Sequence, residues 1–128
     1  MIVVDTSALI EIAIGAPKAM DCRRVLMEAD SLLISAGTVT ETLIVAAGKR
    51  VEPQMTALLD RFGFTIVPLT EERARAAARG YRCYGKVWHA AALNYGDSFA
   101  YALAKEHDCP LLFVGNDFAL TDITPALT

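Results

Sequence analysis

Four acidic side chains stand alone in otherwise uncharged sequence. Asp5 sits in Val3-Val4-Asp5-Thr6-Ser7, Glu41 in Thr38-Val39-Thr40-Glu41-Thr42, Asp97 in Asn94-Tyr95-Gly96-Asp97-Ser98, and Asp117 in Val114-Gly115-Asn116-Asp117-Phe118. After Glu41 no charge appears before Lys49, and after Asp97 none before Lys105. Four carboxylates gathered in one place repel and raise one another's pKa. A divalent cation relieves that repulsion. A donor set of oxygens, with no His or Cys, suits Mg²⁺ or Mn²⁺ rather than zinc.

Each acid also has an ordinary structural role. Asp5 can cap the helix that follows it. Thr38-Val39-Thr40-Glu41 matches a capping box, in which Glu41 would only reach back to the Thr38 amide. The alternative is that Glu41, a lone acid on an apolar helix, points into a cleft; the residues leave both open. Asp97 reads as a helix cap, Asp117 as part of a Gly-Asn-Asp turn, and Asp122 as a solvated loop residue.

The elements that must position these acids alternate. Short apolar strands are expected at Ile2 to Val4, Ser31 to Ser35, Phe64 to Val67 and Leu111 to Val114. Helices are expected from Ser7 to Ala13, from Pro17 to about residue 28, from Thr38 to Gly48, from Pro53 to near Gly63, from a Thr70 cap to about Tyr84, and from Tyr95 or Asp97 to His107. Gly85 to Leu93 reads as a loop, and Asp122 to Thr124 as a short edge strand. The alternation predicts an α/β fold with a parallel sheet covered on both faces. In such sheets ligands bind beyond the carboxyl ends of the strands. Asp5 ends the first strand and Asp117 closely follows the fourth, so both belong on one rim.

The chain has 128 residues, 54% hydrophobic and 21% charged, with a formal net charge of −3. This composition suits one packed domain over 1–128 and argues against disorder. It gives no sign of wholesale nucleic-acid binding, though a local basic patch remains compatible. No apolar run reaches the roughly 18 residues of a membrane span. The start lacks the basic and cleavage regions of a secretory signal, so a cytoplasmic protein is expected. Cys22, Cys83 and Cys109 are widely spaced, form no CxxC pair, and read as free, buried thiols.

Taken in order, Val4-Asp5-Thr6-Ser7-Ala8, Glu41, Arg82-Cys83-Tyr84-Gly85-Lys86 with His89, Leu93-Asn94-Tyr95-Gly96-Asp97 and Gly115-Asn116-Asp117-Phe118 resemble the PIN-domain ribonucleases. The resemblance is in particular to the VapC toxins of bacterial VapBC toxin–antitoxin systems, and it runs end to end. It implies a three-layer α/β/α domain and a metal-binding acidic site made of Asp5, Glu41, Asp97 and Asp117. Thr6 or Ser7, and Asn116, would support that site. The implied activity is Mg²⁺- or Mn²⁺-dependent endoribonuclease hydrolysis of RNA, tRNA or rRNA being the expected substrate. A VapB-type antitoxin would block the site, and a homodimer is implied. The helices at Pro17 to Glu28 and Val39 to Ala47 are candidate antitoxin surfaces.

Arg75, Arg79, Arg82 and Lys86 recur at helical spacing, forming a stripe that could hold phosphates. Gly80 interrupts that pattern. Tyr81, Tyr84, Trp88 and Tyr95 could stack on unpaired bases, or serve as core and interface residues. A receiver domain would need an acidic pair at the first strand, and a haloacid-dehalogenase-type phosphatase would need D-x-D where Asp5-Thr6-Ser7 stands. The remaining alternative is a catalytically silent PIN-like module that binds RNA or protein.

Overall fold

The computed structural model describes residues 1–127. Four strands, β1 (Ile2–Val4), β2 (Leu32–Ser35), β3 (Thr65–Val67) and β4 (Leu111–Leu112), form one sheet in the order β3-β2-β1-β4. All three pairings are parallel, with Val3 opposite Leu33 and Leu111. Six helices connect them: α1 (Thr6–Ala13), α2 (Ala19–Glu28), α3 (Ala36–Gly48), α4 (Glu52–Arg61), α5 (Glu71–Tyr84) and α6 (Tyr95–His107).

The two-residue alternation of the strands sorts the core into layers. Ile2, Val4, Leu32, Ile34 and Leu112 face one way and pack with residues of α1 to α4, including Leu9, Cys22, Ala46 and Met55. Val3, Leu33, Val67 and Leu111 face the other way, onto Ala100, Tyr101, Leu103 and Ala104 of α6. The result is the expected three-layer α/β/α arrangement. Strand order reverses at β1, since β2 and β3 extend to one side and β4 joins the other. Ligands of such sheets bind at the switch point beyond the strand ends, which is where Asp5 and the Gly115–Asp117 turn stand here.

Several boundaries depart from the sequence reading. Helix α2 starts at Ala19, not Pro17; the preceding turn is tied by the Lys18 amide to Glu11 Oε2 at 2.9 Å. Helix α3 starts two residues early, because Ser35 rather than Thr38 caps it, accepting the Gly37 amide at 3.1 Å. Strand β4 stops at Leu112, and the Val114 amide turns to Ser7 Oγ at 3.0 Å. The tail contributes one parallel bridge, Leu111 to Pro125, instead of a strand at residues 122–124. Proline has no N–H to extend a ladder. Gly80 does not break α5: a Cβ there would lie 2.7 Å from the Tyr101 ring, so the glycine lets α5 and α6 approach.

Candidate active site

Asp5 lies in extended backbone at the end of β1 and N-caps α1. One oxygen, Oδ2, takes the whole capping load. It accepts from the Ser7 amide at 3.0 Å and the Ser7 hydroxyl at 2.7 Å. The Ser7 hydroxyl in turn accepts from the Val114 amide, linking the β1 end to the β4 turn. Asp5 is only 3% exposed, and its second oxygen, Oδ1, is buried without a hydrogen-bond partner. Burial pushes the carboxyl up to about 6 despite the two Ser7 bonds, and the Glu41 charge adds to the rise.

The capping-box role of Glu41 does not hold. With Ser35 as the cap, Thr38 is inside α3 and Glu41 has no capping duty. Its Oε1 accepts instead from Thr6 Oγ1 at 2.7 Å. Thr6 has one hydroxyl hydrogen, so in its 2.9 Å contact with Thr42 the Thr42 hydroxyl donates. On its other side the Glu41 carboxylate rests on Gly96, where any Cβ would overlap it. That contact places Glu41 beside the first turn of α6, one residue from Asp97.

Asp97 takes part in capping α6, but as the third residue of the helix; the N-cap itself is Asn94. In a reciprocal capping box, Asn94 Oδ1 accepts the Asp97 amide at 2.9 Å and Asp97 Oδ2 accepts the Asn94 amide at 3.0 Å. The residue is 5% exposed. Burial pushes its carboxyl up to about 7 against the Asn94 bond, with further upward pressure from Asp5, Asp117 and Glu41. Asp117 is exposed in the turn after β4, close enough for its charge to act on Asp97. The four acids therefore share one electrostatic neighbourhood. Among the described residues none of them forms an ion pair with Lys, Arg or His.

The oxygen donor set and the unpartnered Asp5 Oδ1 fit a hard divalent cation. The fit is one of chemistry and charge. Among the described residues, no three His, Cys, Asp or Glu side chains already form a metal-holding group.

The supporting residues divide. Thr6 and Ser7 each hold an acid, whereas the Asn116 side chain makes no hydrogen bond among the described residues, and only its carbonyl is engaged, by the Ala119 amide. The basic stripe is not continuous. Arg75 is paired with Glu71 at 2.9 Å, and Lys86 lies past the end of α5, where its amide bonds to the Leu93 carbonyl. Arg79, Arg82 and Lys86 are exposed and free of ion pairs among the described residues. Asp122 is not a free loop acid, since it accepts from the Tyr101 hydroxyl at 2.7 Å and pairs with Lys105 at 3.0 Å. Cys83 is exposed rather than buried. Gly96 was missed as a positioning residue. Only its place beside Asp97 hinted at it, because the group it accommodates comes from α3.

Comparison with known proteins agrees with the fold. The PIN domain family matches residues 2–123. Ribonuclease VapC42 of Mycobacterium tuberculosis is 38% identical over 131 residues, covering 98% of this chain and 99% of its own. Among solved structures, Mycobacterium tuberculosis VapC20, titled a sarcin–ricin-loop-cleaving toxin, superposes with a TM-score of 0.79 at 13% identity, covering 100% of both chains. A toxin–antitoxin complex from Klebsiella pneumoniae gives 0.73 at 20% identity over 98% of each chain. No described helix is long and apolar enough to cross a membrane.

Proposed function

The chain belongs to the PIN-domain family, and from that premise we propose that it is a metal-dependent endoribonuclease toxin of the VapC type. It hydrolyses RNA phosphodiester bonds and is held in check by a VapB-type antitoxin. The observation that carries the reading is the buried Asp5 Oδ1, unpartnered in a group of four acids with which no Lys, Arg or His among the described residues forms an ion pair. A catalytically silent module would have no use for that uncompensated charge.

Asp5, Asp97, Asp117 and Glu41 would together hold Mg²⁺ or Mn²⁺. Such an ion, when bound, makes water more acidic and offsets charge on the phosphate oxygens. The chain's own residues prepare the site beforehand. Ser7 occupies Asp5 Oδ2, so the acid offers Oδ1 alone. Thr6 occupies Glu41 Oε1 and leaves Oε2 free beside Gly96. Asn94 occupies Asp97 Oδ2. These bonds fix three carboxylates before any ligand arrives and lower the reorganisation needed at reaction. Asp117 is the exposed member of the four.

The antitoxin reading is supported by exposed apolar side chains on the two helices named from sequence: Met20 and Met27 on α2, Leu43 and Ile44 on α3. A Lys or Arg from the partner would neutralise the acidic site as a metal does. The domain acts as a homodimer on a structured RNA such as tRNA or rRNA, in the cytoplasm.

The test is cleavage of total tRNA and rRNA by antitoxin-free protein, with and without Mg²⁺ or Mn²⁺, beside a folded Asp5→Asn variant. Metal-dependent cleavage absent from the variant is the expected result. Equal cleavage by both proteins, or no cleavage together with no metal binding by calorimetry, overturns the reading.

A further inference from the structure

We infer that Thr42 is a positioning residue of the acidic site: its hydroxyl acts through Thr6 to hold the Glu41 carboxylate in the orientation that a metal ion meets. The inference rests on the metal-dependent nuclease reading and adds to it a residue that acts only through another side chain. Thr42 is fully buried on α3, and Thr6 opens α1 immediately after Asp5. Thr6 Oγ1 lies 2.9 Å from the Thr42 hydroxyl and 2.7 Å from Glu41 Oε1.

The direction of these bonds follows from the count of hydrogens. An ionised carboxylate donates nothing, so the short bond to Glu41 takes the one hydroxyl hydrogen of Thr6. The Thr42 hydroxyl then donates to Thr6, whose oxygen is its one hydrogen-bond partner among the described residues. A buried hydroxyl is costly without a partner. The other acceptor within reach of Thr6, the Thr38 carbonyl, stands farther off at 3.5 Å. The three groups therefore form a one-way chain from Thr42 to Thr6 to Glu41, in which the incoming bond strengthens the outgoing one.

Thr42 is used differently from its neighbour on the same helix. A threonine inside a helix can bond back to the carbonyl four residues earlier, as the exposed Thr40 does to Ala36 at 3.1 Å. Thr42 reaches across to α1 instead, and packing alone asks for no hydroxyl there. The end point of the chain gives it a use. Glu41 Oε1 is occupied, and Oε2 lies against Gly96, next in sequence to Asp97. Asp5 caps the helix whose first residue is Thr6. Thr6 thus joins the acid that precedes α1 to the acid on α3, and Thr42 locks the Thr6 hydroxyl in the direction that does so. Hydrogen-bond partners of this kind, one step behind a metal ligand, typically govern metal affinity by about 10- to 100-fold.

Calorimetric titration of Mn²⁺ into antitoxin-free protein tests the inference, with circular dichroism as the check on folding. Thr42→Val keeps the branched shape and removes the hydroxyl. It is expected to weaken Mn²⁺ binding by about 10- to 100-fold. Thr42→Ser, which keeps the hydroxyl, is expected to bind like the parent protein. Because Thr42 acts through Thr6, the double variant Thr6→Val/Thr42→Val is expected to bind no more weakly than Thr6→Val alone. RNA cleavage by Thr42→Val is expected to recover as Mn²⁺ is raised to saturation. Should Thr42→Val fail to fold, Thr42→Ala takes its place in each comparison. Unchanged Mn²⁺ affinity in the protein without the hydroxyl overturns the inference and leaves the nuclease standing. An equal loss in Thr42→Ser does the same, by tracing the effect to packing, as does a double variant whose losses add. If the parent protein itself neither binds Mn²⁺ nor cleaves RNA, the nuclease reading falls and the inference falls with it.

Discussion

The two ends of α6 use charge in opposite ways. At its C-terminal end the C-cap Asp108 is open to solvent, and the other two acids there, Glu106 and Asp122, each have a basic partner. Glu106 takes two 3.1 Å bonds from the Arg73 guanidinium, which hold its carboxyl below the usual range. Asp122 is pushed up by burial, but the Tyr101 hydroxyl and the Lys105 ammonium outweigh that and leave it below its ordinary value. Lys105 and His107 in the last turn also suit the negative end of the helix dipole. At the N-terminal end Asp97 is buried among three further acids, and its carboxyl is pushed up to about 7. One end stabilises the fold. The other stores an electrostatic demand that folding leaves unmet, which is what a site awaiting a cation requires.

The strongest test of this contrast is Asp5→Asn. Asparagine still caps a helix, so α1 should survive while one charge leaves the site. Activity is expected to fall by roughly 10²- to 10³-fold, the range for losing one electrostatic element of an active site. The melting temperature of metal-free protein at pH 8 is expected to rise. A variant that melts lower at pH 8 would mean that Asp5 stabilises the fold, and the contrast would fail.

Next in size is Gly96→Ala, which sets a methyl against the Glu41 carboxylate. Forcing extra volume into such a contact costs about 1–3 kcal/mol. Because Glu41 must move, activity is expected to fall about 10- to 100-fold, as for other losses of a group that orients a metal ligand. Denaturant melts and initial rates on the same preparation measure both effects. An unaltered rate would remove Glu41 from the working site.

The pH dependence of stability sharpens the comparison further. Asp5 rises from 3.8 to about 6 on folding, and Asp97 from 3.8 to about 7. Between those values the folded state holds protons that the unfolded chain has released. Stability of the metal-free protein is therefore greatest below about pH 4 as far as these two groups are concerned, and it declines as pH rises to about 7. Taken together the two groups account for a decline of roughly 5–8 kcal/mol, at about 1.4 kcal/mol for each tenfold change in proton affinity. Saturating Mg²⁺ or Mn²⁺ binds the deprotonated acids and should flatten it. Thermal melts across pH 5 to 8, with and without metal, decide the matter, and a rise in stability with pH in metal-free protein contradicts the assignment.

The smallest effect belongs to the other end. Asp122→Asn weakens the Lys105 pair and keeps an acceptor for Tyr101. A loss of about 0.5–1 kcal/mol is expected, as for a half-exposed ion pair. Cleavage rate should stay unchanged within error, and a large rate loss would mean that the two ends of α6 are not independent.

Much of this was legible in the residues themselves. Apolar strands of two to four residues, helices capped by Asp5 and Thr70, and acids isolated from basic neighbours are local patterns. Their order along the chain was enough to predict a parallel sheet under two helical layers and to put Asp5 and Asp117 on one rim. Local sequence could not choose between partners of similar worth. Ser35 and Thr38 are both competent caps, and the helix began at Ser35, which released Glu41 to meet Thr6. Gly80 looked like a weak point and Gly96 drew no reading, yet each admits a group from a distant element: the Tyr101 ring and the Glu41 carboxylate. Asp122 looked solvated until the fold brought Tyr101 and Lys105 to it. A side-chain hydrogen bond is worth on the order of 1 kcal/mol whichever partner makes it. The choice among partners falls to the packing of residues far apart in sequence, which alone decided where the charges meet.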